Sequence, residues 1–240
     1  MTAAQFAHAA VFPPGTKVNG RGHLEVGGCD TVELAERFGT PLYVYNEQTI
    51  REMCREFRAE FEKRYPDSRI VYAGKAYLGI ALLRLLRNEG LGLDVVSGGE
   101  LALAQAAGFS MPDVFFHGNN QSRAEIEQSV IAGVGQIVID NFSEIALVAE
   151  AAEAGGVRQP VLLRVSPDVN PYTHAKTTTG ILDTKFGLPI ATGQAAEAVR
   201  EVLARPSLEL VGYHFHLGSP IFRVQPYVDA LAVVADFAAR

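Results

Sequence analysis

The order of hydrophobic and polar residues changes character near Ile70. Before it, residues 1–22 show no sustained period and carry turn signals at Pro13-Pro14-Gly15 and Asn19-Gly20. His23–Val26 reads as a short strand. Asp30–Phe38 reads as a helix, with Asp30 as its cap, Glu33 at the capping-box position and Gly39 after its end. Pro41–Tyr45 is rich in β-formers, and Asn46 then caps a helix with Ile50, Met53, Cys54, Phe57 and Phe61 on one face. From Ile70 onward short apolar runs alternate with helical patterns. The runs are Ile70–Ala73, Leu91–Val96, Val114–His117, Gln136–Asp140, Val161–Val165 and Leu208–Leu217, and the first four begin about 22 residues apart. A last helical pattern puts Tyr227, Leu231, Val234 and Ala238 on one face.

Strands alternating with helices over short links imply parallel strands joined by right-handed crossovers, and near-continuous apolar runs imply strands covered on both faces. Two architectures meet that description, the open doubly wound sheet and the (β/α)₈ barrel. A polar residue stands at the end of every run: Lys75, Asp94 and Ser97, His117 and Asn119, Asp140, Arg164, then His214, His216 and Ser219. A barrel gathers chemistry from many strand ends, whereas an open sheet concentrates it at one switch point, so the pattern favours the barrel. Eight strands and about 200–250 residues are needed to close one. Six strands are visible in the 171 residues from Ile70 on, and the chain stops within a helical pattern. The expected fold is α/β, an incomplete (β/α)₈ TIM-type barrel over residues 40–240 with an N-terminal extension over residues 1–39. The sequence reads as the front of a longer protein.

Composition narrows the function. The balance of 21 basic against 27 acidic residues gives a net charge of −6, which offers no basic surface for nucleic acid or anionic lipid. No apolar run reaches the roughly 18 residues of a membrane span, and the N-terminus lacks a secretory pattern. Two cysteines, Cys29 and Cys54, make no disulfide framework. A cytoplasmic protein is expected.

Alternation puts Val71, Ala73 and Lys75 on one face, so Lys75 would point into the barrel at its catalytic end. A lysine stripped of water there can react as a neutral amine with a carbonyl; a lysine reaching to the rim is the plainer alternative. His214 and His216 share a face of the sixth strand and suit zinc, ring stacking or simple packing. Gly218-Ser219 follows at a strand-to-helix turn that suits a phosphate or a simple helix cap. Arg164 is a cation inside the apolar run Val161–Val165, with a salt bridge to Asp94 or Asp140 as its structural use. Asp94 could face inward, while Glu100 starts the next helix and favours its dipole.

Taken together these segments resemble the fold-type III pyridoxal-phosphate decarboxylases, in particular the branch acting on diaminopimelate. The likeness rests on Tyr72–Tyr77, Gly92–Leu101, Phe116–Asn120, Leu163–Ser166, Thr179-Gly180 with Thr184–Gly187, and Gly212–Ser219, six motifs in the family's order. The resemblance implies pyridoxal 5′-phosphate as cofactor, carried by Lys75. It implies that His216 faces the ring, that Ser219 with Gly218 contacts the phosphate, and that Asp94, Glu100 and Arg164 line the site. The implied reaction is decarboxylation of meso-2,6-diaminopimelate to L-lysine by a homodimer of the full-length protein, with no metal.

The family's glycine-triplet phosphate loop, the acidic partner of the ring nitrogen and the β-domain with its substrate elements have no counterpart in the sequence. The 240 residues alone are therefore expected to be an incomplete, inactive fragment. Two other functions remain open to a barrel with these residues. A single-domain pyridoxal-phosphate binding protein that manages cofactor supply would need a complete barrel. A metal-dependent hydrolase built on His214 and His216 would place its paired histidines on the first strand, not the sixth.

Overall fold

The computed structural model describes residues 9–169 and 186–240. It divides into two compact units, one running to Ile70 and including Leu85–Leu91, the other comprising Val71–Arg84 and Gly92–Arg240. Thr179, Gly180, Thr184 and Lys185, part of one quoted motif, lie outside the described residues.

The first unit contains β1 (Lys17–Val18), β2 (Leu24–Val26) and β3 (Cys29–Asp30), paired antiparallel in that order, then α1 (Thr31–Phe38) and α2 (Glu47–Glu62). Asp30 starts α1 as expected: its carboxylate accepts from the amides of Val32 and Glu33. Asn46 caps α2 by accepting from the Thr49 amide. Burial alone would raise the Asp30 carboxyl, but hydrogen bonds from Asn19, His23 and those amides outweigh it and hold it at about 2. The β-rich segment 41–45 forms no strand. Propensity makes a strand only where a partner backbone accepts it, and here Tyr43 stands 88% exposed.

The alternating strands and helices from Val71 on belong to the second unit, save the end of their first helix, from Leu85, which falls in the first unit. In chain order they are β4 (Val71–Ala73), α3 (Ile80–Asn88), β5 (Gly92–Val95), α4 (Gly98–Ala107), β6 (Val114–His117), α5 (Arg123–Ala132), β7 (Gln136–Ile139), α6 (Phe142–Ala154), β8 (Gln159–Ser166), β9 (Leu188–Pro189), α7 (Gln194–Leu203), β10 (Leu208–His214) and α8 (Gln225–Ala238). The sheet order is β10-β8-β7-β6-β5-β4, all neighbours parallel, with the two-residue β9 beside the end of β8. These are the six strands read from the sequence, in an order that follows the chain. Among the described residues they make an incomplete set of (β/α)₈ units.

Three successive βα units repeat one local device. Ser97, Ser122 and Asn141 accept from the third amide of α4, α5 and α6, and Glu125 returns the bond to Ser122 to complete a capping box. Such caps are worth about 1 kcal/mol each. The strand period of two then sorts the side chains. Leu93, Val95, Phe116, Ile137, Ile139 and Leu163 are fully buried, as are Leu101 on α4, Ile126 on α5 and Ile145 on α6. Burying each such side chain contributes about 1.5–3 kcal/mol. The alternate positions Val71, Ala73, Asp94, Phe115, Val138, Leu162 and His214 line a small cavity of about 260 Å³ on the other face. A protein whose strands read as continuous apolar runs thus has one face packed under helices and the other facing inward.

The last helix corrects one expectation. In α8 the buried positions are Pro226, Ala230 and Val234, while Tyr227 and Leu231 are exposed. The buried stripe is a residue out of phase with Tyr227 and Leu231, the largest side chains of the expected face. No described helix is long and apolar enough to cross a membrane.

Candidate active site

Of the six strands β4–β8 and β10, all but β7 send a residue from the C-terminal end, or from the loop after it, to one cavity of about 600 Å³. That volume is in the range of small-molecule sites. Lys75 comes from the end of β4, Asp94 from β5, His117 and the residues after it from β6, Arg164 from β8, and His214, His216 and Ser219 from β10 and beyond. The sequence-predicted residues Lys75, Asp94, Arg164, His216 and Ser219 are therefore brought together. Gly218 is buried beside them with φ of 139°, a backbone conformation that favours glycine. Glu100 does not line the cavity: its carboxylate accepts from the Val96 amide at 2.7 Å and serves the start of α4.

Two placements differ from the sequence reading. Lys75 sits in a 3-10 turn over Gly74–Ala76, past the strand end, and is exposed, where a strand-end lysine stripped of water was expected. His216 also lies beyond its strand, since β10 ends at His214. Both side chains still reach the cavity, because each strand end turns at its rim. Gly74 makes the first turn possible. A Cβ there would stand 2.7 Å from the Asp94 carbonyl oxygen, so the backbone before Lys75 packs directly on β5. Gly74→Ala is expected to cost about 1–3 kcal/mol by forcing the two strands apart. Urea denaturation checks this, and a loss under about 0.5 kcal/mol would contradict so close an approach.

The floor of the cavity is a buried charge cluster. Arg164 Nη1 donates to Asp140 Oδ1 at 2.9 Å, and both residues are under 10% exposed. Burial lowers the Arg164 pKa, and Asp140 opposes the shift. The guanidinium also lies 4.5 Å from the centre of the Phe186 ring. Behind the pair, the Glu144 carboxylate accepts from the Asp140 backbone amide at 2.8 Å. Of the two expected partners for Arg164, the structure selects Asp140. Asp94 instead comes within 3.5 Å of His117.

The imidazoles of His214 and His216 are held in the neutral form. Burial, with Lys75 and Arg164 nearby, pulls His216 down to about 4. Burial, with Arg164 and the other basic groups around it, pushes His214 well below its ordinary value. The rings of His117 and His214 meet edge to face at 4.5 Å. With His214 and His216 neutral, neither adds to the positive charge that Lys75 and Arg164 bring to the site. Among the described residues no group of three His, Cys, Asp or Glu side chains is gathered for a metal ion.

Three residues with a part in the site carried no assigned role in the sequence. Gln121 is 8% exposed, lines the cavity, and has both side-chain amide atoms buried without a hydrogen-bond partner. It directly follows the Phe116–Asn120 motif, which was the available signal. Phe186 belonged to a quoted motif but had no partner until Arg164 was placed over it. Glu144 stands three residues after Asn141, the ordinary place of a helix-start acid, and nothing else in the sequence singles it out.

A family model described as the pyridoxal-dependent decarboxylase, pyridoxal binding domain, matches residues 47–240. A diaminopimelate decarboxylase of Halalkalibacterium halodurans is 48% identical over 221 residues, covering 92% of this chain and 50% of that protein. The diaminopimelate decarboxylase of Bacillus subtilis is 44% identical, covering 92% and 50%. Among solved structures, the M. jannaschii diaminopimelate decarboxylase in complex with L-lysine superposes with a TM-score of 0.84 at 35% identity, covering 94% of this chain and 52% of that one. The chain spans about half the length of the curated relatives it matches.

Proposed function

Because the chain belongs to the pyridoxal-binding domain family of the pyridoxal-dependent decarboxylases, we propose that its cavity holds pyridoxal 5′-phosphate and that the whole protein decarboxylates meso-2,6-diaminopimelate to L-lysine. The observation that carries the reading is one cavity collecting Lys75, Asp94, Arg164, His214, His216 and Ser219 from parallel strand ends. The donor set suits the cofactor. An amine is offered to its carbonyl, a hydroxyl beside a glycine turn to its phosphate, and a neutral imidazole to its ring. The orphaned Gln121 amide atoms and the orphaned Nδ1 of His214 favour a ligand with several polar groups.

In this reading Lys75 holds the cofactor, Ser219 and Gly218 bind its phosphate, His216 lies against its ring, and Asp94 and Arg164 meet its polar substituents. When bound, pyridoxal phosphate supplies the sink for the electron pair left as carbon dioxide departs. The protein's own residues orient and exclude. His216, neutral through the physiological range, covers the ring without bringing a charge against it. Arg164, fixed by Asp140, offers a cation that does not have to reorganise, and preorganised charge of this kind is often the largest catalytic contribution. The exposed Lys75 side chain would hold the cofactor at the rim and leave room beside it for a substrate amine.

The same proposal makes residues 1–39 an extension that joins a second domain, residues 40–240 the cofactor-binding portion, and the whole protein a cytoplasmic homodimer acting on a small amino acid. The test is lysine and carbon dioxide formation from meso-diaminopimelate by the natural gene product supplied with pyridoxal phosphate. Stoichiometric appearance of both is expected. Cofactor-loaded protein that releases neither would overturn the proposed reaction.

A further inference from the structure

Arg164 needs a fixed partner, and the partner itself is held from behind. Asp140 follows the end of β7, where the ladder hydrogen bonds to β6 and β8 stop, since the last paired residues there are Val138 and Ile139. Its backbone amide is instead bound by the Glu144 carboxylate at 2.8 Å, while its side chain accepts from Arg164 at 2.9 Å. Glu144 is held in turn. Its own amide donates to Asn141 Oδ1 at 3.1 Å, and it is 3% exposed at the start of α6. A helix-start glutamate ordinarily reaches back to the cap residue's own amide at the surface. Glu144 reaches one residue further, into the strand end beneath the cavity, and leaves its second oxygen buried without a partner.

We propose that Glu144 is a positioning residue of the cofactor cavity, gripping the Asp140 backbone so that the Asp140 carboxylate holds Arg164 at the cavity wall. It touches no cavity atom itself and acts through Asp140. Its hydrogen bond, not its charge, does this. Burial pushes the carboxyl up to about 7, which is the behaviour of a group whose neutral form fits the site. An unpartnered buried oxygen is likewise less costly on a neutral carboxyl than on a carboxylate. A neutral acceptor of the same shape should therefore serve as well. The role of Arg164 toward the cofactor rests on the function proposed above, whereas its confinement by Glu144 does not.

The experiment uses Glu144→Gln, which keeps the acceptor, and Glu144→Leu, which removes it. Two readings are taken on folded chains: labelling of Arg164 by phenylglyoxal, mapped by peptide mass, and the affinity for pyridoxal phosphate by titration. Arg164 in Glu144→Leu is expected to label about fivefold faster or more than in the parent chain, and the cofactor to bind about tenfold more weakly. Glu144→Gln is expected to stay within about twofold of the parent in both. Unchanged labelling in Glu144→Leu overturns the proposal. Raised labelling with unchanged affinity overturns its connection to the cofactor. If Glu144→Leu is recovered unfolded, Glu144→Gln decides alone: protection of Arg164 supports the proposal, and labelling about fivefold faster overturns it. If the parent chain binds no pyridoxal phosphate, the proposed function fails, and the labelling arm still decides whether Glu144 positions Arg164.

Discussion

Arg164→Met is expected to destabilise the protein by about 3–5 kcal/mol, because it leaves the Asp140 carboxylate buried without its cation. Asp140 is 4% exposed and Arg164 7%, so water cannot replace the lost partner. The pair contributes less to stability than that figure suggests. Desolvating both ions costs nearly what their attraction returns, and the penalty appears only when one is stranded. The double variant Arg164→Met with Asp140→Leu should therefore recover most of the loss, although it abandons a salt bridge. Urea midpoints of the parent, the two single variants and the double variant measure this directly. A single-variant loss below about 1 kcal/mol would mean that the floor of the cavity admits solvent, against the burial described here.

The second large effect separates binding chemistry from stability. Lys75→Ala is expected to abolish covalent capture of pyridoxal phosphate while changing folding stability by less than about 0.5 kcal/mol. Lys75 is exposed and lies in a 3-10 turn outside the sheet, so no packed contact is lost with it. The visible absorbance that develops when the parent chain is mixed with the cofactor should be missing from the variant at every concentration. A variant that keeps that absorbance has another lysine in the role. A variant that unfolds would show that Lys75 supports the fold.

The strand order and the residues of the site were legible for different reasons. Parallel strands covered by helices must be apolar on both faces, so β4 to β8 and β10 announce themselves as runs, and a polar residue at the end of each marks one rim. Asp94, Arg164 and Ser219 could be placed from that alone. What the pattern cannot carry is the turn after a strand. Lys75 and His216 were read as strand residues because alternation continues past Ala73 and His214, although the backbone leaves the sheet there. Glu144 stayed hidden for a related reason. A helix-start glutamate has an ordinary use in sequence, and only the register of β7 and β8 shows its carboxyl turned to the amide behind Arg164. The segment 41–45 marks the opposite limit, where β-rich composition has no partner strand to act on. For α8, the buried face runs through Pro226, Ala230 and Val234, and an amphipathic reading weighted by size places it one position away.

Borohydride reduction of the chain incubated with pyridoxal phosphate, followed by peptide mass mapping, identifies the lysine that carries the cofactor. The expected result is one pyridoxyl adduct, on the tryptic peptide that contains Lys75, formed in proportion to the visible absorbance lost on reduction. Labelling concentrated on Lys176, Lys185 or a surface lysine, with Lys75 unmodified, would contradict the account.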